Sequence, residues 1–178
     1  MSSKNDIRSY ITHRQIEDML DRLAGEINRD YHDKEPLVIG VLTGSFMFLA
    51  DLVRKLAFPM HIDFVRLSSY GPGTGSSGAV RLLLEPSLPV EGRDVLLVED
   101  VADTGYSVDF LLKYLESRNP KSVKLCVLAD KPSDRKVPVR IDYKGCTAPG
   151  KFLVGYGLDY DSKYRNIPDL CILGESGE

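Results

Sequence analysis

Apolar residues fall into two alternating kinds of run along the chain. Leu37-Val38-Ile39-Gly40-Val41-Leu42, Val95-Leu96-Leu97-Val98 and the mostly apolar stretch Val123 to Leu128 are short, the pattern of strands buried on both faces. Between them, apolar residues recur at helical spacing. Ile16, Met19, Leu20, Leu23 and Ile27 share one helical face, and Val108, Leu111, Leu112 and Leu115 share another before Asn119-Pro120 ends the run. Thr12-His13-Arg14-Gln15 has capping-box spacing at the start of the first helix, with Ile11 and Ile16 placed as a hydrophobic staple. A third helix, apolar, runs from Phe46 to about Leu56. Further strands are predicted over Met60 to Leu67, Val80 to Leu84 and Leu170 to Leu173, and Gly174 to Glu178 reads as a frayed tail. Strands alternating with helices predict an α/β fold, a twisted parallel sheet flanked by helices.

At 178 residues the chain has room for one domain with a full core, taken here as residues 1–178. A net charge of −3 leaves no electrostatic footprint for nucleic acid, and no window of 18 apolar residues offers a membrane span. The start, Met1 to Asp6, is polar and lacks the apolar core of a signal peptide. Cys126, Cys146 and Cys171 are odd in number and far apart, which argues against a disulfide framework or a structural zinc site. A cytoplasmic address follows. His13 and His32 have no neighbours at metal-ligand spacing and read as surface residues.

Chemistry concentrates where strands give way to helices. Val95 to Val98 runs into Glu99, Asp100 and Asp103, and Thr104-Gly105-Tyr106-Ser107 leads into the next helix. In an open α/β sheet the ligand sits beyond the carboxyl ends of the strands, so all three carboxylates are expected to face a crevice. Hydroxyls and free amides at the helix start suit a phosphate, and clustered carboxylates suit a diol or a cation. Thr43-Gly44-Ser45 repeats the arrangement without charge and offers a second anion seat. Lys131 leaves the ligand side of a strand, although on its own it reads as a surface lysine. Lys151 to Tyr160 reads on its own as a strand interrupted by Gly155 and Gly157, with Phe152 in the core. Residues 68–79 hold four Gly and four Ser, a composition that buries little and suits a closing lid.

Residues 95–107 resemble the signature loop of the type I phosphoribosyltransferases, in which four apolar residues, two acidic ones and two variable ones precede Asp-Thr-Gly and, after one more position, a small hydroxyl residue. The resemblance narrows to the hypoxanthine-guanine branch at Leu42 to Leu52, at Ser68-Ser69-Tyr70-Gly71, at Asp130-Lys131-Pro132 and at Lys151 to Tyr160. It covers residues 10 to 173. It implies a core over about 35–150, a hood from about 1–20 and 150–178, and a flexible arm loop carrying Ser69 and Tyr70. Glu99, Asp100, Asp103, Thr104, Gly105, Tyr106 and Ser107 would bind the phosphoribosyl group, with Asp103 as the catalytic acid/base. Thr43, Gly44 and Arg165 would bind pyrophosphate. Lys131 would recognise the purine 6-oxo group, Phe152 would stack on the base, and Leu153 would meet it through its backbone. Glu99, Asp100 and Asp159 would surround magnesium. The resemblance also implies a cis peptide between Leu42 and Thr43, phosphoribosyl pyrophosphate and 6-oxopurine bases as partners, and a homodimer or homotetramer. One departure stands out: the branch usually has Lys at the position of Thr43.

The implied reaction is purine salvage, in which hypoxanthine or guanine and phosphoribosyl pyrophosphate give the nucleoside monophosphate and pyrophosphate. A nucleic-acid-binding regulator on the same fold would need a basic face or an added domain, and neither is present. An aspartic protease would place Asp103-Thr104-Gly105 in an all-β context. The residues leave open the choice among hypoxanthine, guanine and xanthine.

Overall fold

Strands that are apolar on both faces belong in the middle of a sheet, and that is where they lie. The computed structural model describes residues 6–69 and 80–174. Their elements are β1 (Ile7–Ile11), α1 (His13–Tyr31), β2 (Leu37–Leu42), α2 (Phe46–Val53), β3 (His61–Ser69), β4 (Val80–Leu84), β5 (Asp94–Ala102), α3 (Tyr106–Glu116), β6 (Ser122–Asp130), β7 (Tyr143–Thr147), β8 (Leu153–Val154) and β9 (Leu170–Leu173). The large sheet has the order β4-β3-β2-β5-β6-β7. Its neighbours run parallel from β3 to β7, and β4 alone is antiparallel, folded back beside β3. Helices α1 and α2 cover one face through Ile16, Leu20, Leu23, Ile27, Phe48 and Leu52. Helix α3 covers the other through Val108, Leu111 and Leu115. Each of these buried side chains contributes roughly 1.5–3 kcal/mol of transfer free energy.

Helix α1 begins as the spacing predicts. The Gln15 amide donates to Thr12 Oγ1 at 3.4 Å, and the Thr12 amide donates back to Gln15 Oε1 at 2.9 Å. Helix α2 stops at Val53, short of Leu56. There the amides of Lys55 and Leu56 turn to the carbonyls of Leu52 and Val53, tightening the last turn out of α geometry. Strand β5 runs longer than its apolar stretch. Glu99, Val101 and Ala102 pair with Val127, Ala129 and Asp130 of β6, so Glu99 and Asp100 belong to the strand and the acidic turn starts only at Asp103.

A second, antiparallel sheet with the order β1-β9-β8 joins segments from both ends of the chain. Strands β1 and β7 carry few buried residues and have no counterpart in the apolar pattern. Ser69 closes β3 opposite Val80. Tyr70 and the rest of the expected lid, 70–79, lie outside the described residues, as does 175–178 of the expected tail.

Candidate active site

Because β2, β5 and β6 are parallel neighbours, their carboxyl ends open on one side of the sheet. Thr43, Asp103 and Lys131 directly follow those ends. A cleft of about 310 Å³ lies there. Thr43 and Gly44 line it from β2, Asp100 and Asp103 from β5, Lys131 from β6, and Phe152, Leu153, Asp159 and Arg165 from the segment around β8.

The first two carboxylates of β5 interact with each other but differ in exposure. Asp100 lines the cleft, whereas Glu99 is 6% exposed and lies outside its lining, so the expectation that all three carboxylates face the crevice holds for Asp100 and Asp103. Burial, reinforced by the neighbouring Asp100 carboxylate, pushes the Glu99 carboxyl well above the usual range. Among the described residues neither has a salt-bridge partner. Asp103 is half-buried, and burial raises its carboxyl while the Lys131 ammonium, 3.9 Å away, pulls the other way. Lys131 is only 7% exposed, so its reading as a surface lysine is overturned. Its amide donates to the Ala102 carbonyl at 2.9 Å, which ties the end of β6 to the end of β5.

Thr104 to Ser107 lead from Asp103 into the start of α3 and are not among the residues that line the cleft. Gly105 takes φ +92°, and a Cβ there would meet the Val137 carbonyl and the Val139 side chain. The Thr104 carbonyl accepts from the amides of Lys136 and Val137 at 2.9 and 3.0 Å. No side chain caps α3, which leaves its first-turn amides to a ligand or solvent. The loop after β2 is formed differently. The Leu42–Thr43 peptide is cis, as expected. A Cβ on Gly44 would overlap the Asp100 carboxylate, and a Cβ on Gly157 would overlap the Gly44 carbonyl oxygen. Gly44 is therefore pressed between β5 and the segment after β8.

That segment forms the remaining wall. Phe152 is 52% exposed, packed edge-to-face on Tyr160 with centroids 5.5 Å apart, so it is a cleft residue and not part of the core. Arg165 Nη2 meets Asp159 Oδ1 at 2.7 Å, and Nη1 donates to the Gly157 carbonyl at 2.6 Å. Asp159 Oδ2 accepts the Ser162 amide at 2.8 Å.

Over residues 7–161 the chain matches the family model described as the phosphoribosyl transferase domain. It is 40% identical to the hypoxanthine-guanine phosphoribosyltransferase of Bacillus subtilis across 171 residues, 96% of this chain and 95% of that one. The chain belongs to the phosphoribosyltransferase family, in its hypoxanthine-guanine branch. A crystal structure of a hypoxanthine-guanine phosphoribosyltransferase from Bacillus anthracis superposes with a TM-score of 0.90 at 38% identity, covering 96% of this chain and 100% of that one. The fold is thus the type I phosphoribosyltransferase fold. The chain is also 42% identical over 173 residues, 97% of its length, to the bifunctional protein TilS/HprT of Listeria innocua, and spans only 27% of that longer protein.

Arg135 has no signal in the sequence pattern and yet ties this phosphoribosyltransferase site together. Its Nε donates to the Asp103 carbonyl at 2.8 Å, and its Nη2 donates to the Ala102 carbonyl at 2.9 Å and to Asp130 Oδ1 at 2.5 Å. The guanidinium fork thereby fixes the backbone that presents Asp103.

Proposed function

We propose that the chain transfers the 5-phosphoribosyl group from phosphoribosyl pyrophosphate to hypoxanthine and guanine, giving the nucleoside monophosphate and pyrophosphate in purine salvage. The observation that carries this reading is a buried lysine, Lys131, 3.9 Å from the half-buried Asp103, in one cleft with the exposed ring of Phe152. A 6-oxopurine offers each of them a partner. The ring stacks on Phe152, the 6-oxo oxygen accepts from Lys131, N7 faces Asp103, and the Leu153 backbone meets the far edge. The small terminal sheet serves as a hood over the base.

The sugar phosphate takes the other half of the cleft. Thr104 to Ser107 supply hydroxyls and first-turn amides for the 5′-phosphate. Thr43, Gly44 and Arg165 hold pyrophosphate, and Asp100 faces the ribose hydroxyls with the buried Glu99 behind it. Bond exchange at the anomeric carbon passes through an oxocarbenium-like state. Asp103 then takes the N7 proton as the glycosidic bond forms, a task helped by a carboxyl whose affinity for protons is raised.

Magnesium suits the donors present. Glu99, Asp100 and Asp159 offer only oxygen, and two adjacent carboxylates without a basic partner favour a cation beside them. When bound, magnesium would neutralise charge on the departing pyrophosphate. The described residues contain no ready-made group of three ligating side chains, and magnesium ordinarily keeps waters and substrate oxygens in its shell.

Among the described residues no helix is long and apolar enough to cross a membrane. We assign the enzyme to the cytoplasm, where free thiols such as those of Cys126, Cys146 and Cys171 persist. An exposed apolar groove around Phe46, Ala50, Val53 and Ile62 supports a homodimer or homotetramer as the working form. Pyrophosphate release, measured with magnesium and each purine in turn, tests the activity and ranks hypoxanthine, guanine and xanthine. Release with hypoxanthine is expected, and silence with every 6-oxopurine would overturn the assignment.

A further inference from the structure

Tyr156 occupies a costly position with no role in the scheme above. Gly155, Tyr156 and Gly157 take φ values of +87°, +48° and +98°, three successive residues in a region that side chains disfavour. The turn is pinned by its own backbone, with the Tyr156 amide donating to the Ile167 carbonyl at 2.7 Å and the Gly157 amide to the Arg165 carbonyl at 3.0 Å. This conformation drives the Tyr156 side chain inward, where it is 2% exposed. Its hydroxyl donates to Asp51 Oδ2 at 2.6 Å. Burial and that carboxylate together hold the phenol neutral, far above its ordinary pKa.

Asp51 lies on α2, the helix that starts directly after Thr43-Gly44-Ser45. Helix α2 buries Phe48, Leu49 and Leu52 on one face, and such apolar contact resists separation better than it resists sliding or rotation. A short hydrogen bond to the charged Asp51, which flanks that face and also pairs with Arg54, is directional. One residue beyond Tyr156, Gly157 presses on the Gly44 carbonyl and accepts from Arg165. A single turn therefore touches α2, the loop at its start and the arginine of the opposite wall.

We propose that Tyr156 and Asp51 form a positioning pair that locks α2 and its leading loop to the segment after β8, so that the amides of residues 43–45 and the Arg165 guanidinium meet pyrophosphate together. The pair touches no substrate, and the inference rests on the reading of those groups as the pyrophosphate site.

The test is titration of inorganic pyrophosphate with magnesium chloride into the wild type, Tyr156→Phe, Asp51→Ala, the double variant and Asp51→Asn, with the KM for hypoxanthine and the Tm measured alongside. Tyr156→Phe and Asp51→Ala should each weaken pyrophosphate about tenfold, or ~1.4 kcal/mol. The double variant should be no weaker than the worse single one, because both remove the same bond. Asp51→Asn keeps an accepting oxygen and should stay within about twofold of wild type, as should the hypoxanthine KM throughout. Unchanged pyrophosphate affinity in Tyr156→Phe, additive losses in the double variant, or pyrophosphate and hypoxanthine weakening together as the Tm falls would each overturn the pair. A wild type that binds pyrophosphate but turns over no purine would instead sink the proposed activity, while the titrations still decide the pair.

Discussion

The site is built from two strand–turn–helix units that look alike in outline and work in opposite ways. The β5–α3 unit carries charge in its side chains: Asp100 and Asp103 stand in the cleft, and Arg135 fixes the backbone beneath them. The β2–α2 unit carries no charge in its turn. Gly44 is set by what leans on it, the Asp100 carboxylate on one side and Gly157 on the other. The first unit therefore depends on which side chains are present, and the second on which are absent. Substitutions should divide accordingly, with loss of function in the first following loss of a group and in the second following gain of one.

The largest effect belongs to the charged side. If Lys131 donates to the 6-oxo group, adenine brings a second donor against it in a dry site, and kcat/KM for adenine should fall below that for hypoxanthine by about 10⁴ or more. Comparable use of both bases would remove Lys131 from base recognition. Next comes Asp103→Asn, which should lower kcat by about 10²–10⁴ with phosphoribosyl pyrophosphate binding nearly intact. As a base Asp103 must be ionised, so kcat/KM should decline as pH falls through its pKa, raised by burial. That acid limb should vanish in the Asn variant, and a rise in KM at unchanged kcat would make Asp103 a binding residue only.

On the uncharged side, adding a methyl group should do what removing a carboxylate does on the other. Gly44→Ala places a Cβ on the Asp100 carboxylate, and a displacement near 1 Å at a reacting site costs on the order of 10² in rate. Stopped kinetics with saturating substrates would read it, and wild-type rates would show that the loop is not tightly placed. The smallest effect is expected for Thr43→Lys. If backbone amides hold the anion, the family's usual lysine should change pyrophosphate affinity by less than about tenfold, since an exposed ammonium adds only screened attraction. A hundredfold gain by titration would show that the side chain carries the contact.

The same contrast explains what was legible in the sequence. Strand β2, the cap of α1 and the centre of β5 announce themselves through local pattern, because burial on both faces and capping act over a few residues. Asp103 stood out because its chemistry is in its own side chain, in an acidic cluster at a strand end, whereas Lys131 read on its own as a surface lysine and stood out only through the resemblance of Asp130-Lys131-Pro132. Strand β7 did not, since an edge strand with one buried residue, Tyr143, has no apolar signature. The exposure of Phe152 was hidden from the local pattern too, and only the resemblance pointed to it, because an aromatic residue beside a short strand looks the same whether it faces the core or the cleft. Arg135 and the Tyr156–Asp51 bond were out of reach altogether. Their meaning lies in partners 32 and 105 residues away, brought close only by the fold.

Strand β9 comes last of the described strands in chain order and lies in the middle of its sheet, between β1 and β8. Leu153 finds its partner only in Ile172, and Ile7 only in Leu173. A nascent chain can therefore complete the large sheet and present its acidic loop while β1 and β8 still lack the strand that pairs with both. Pairing of the chain's two ends waits until residues 170–173 have left the ribosome, and a chain cut short just before Leu170 would keep every strand of the large sheet and lose the small one.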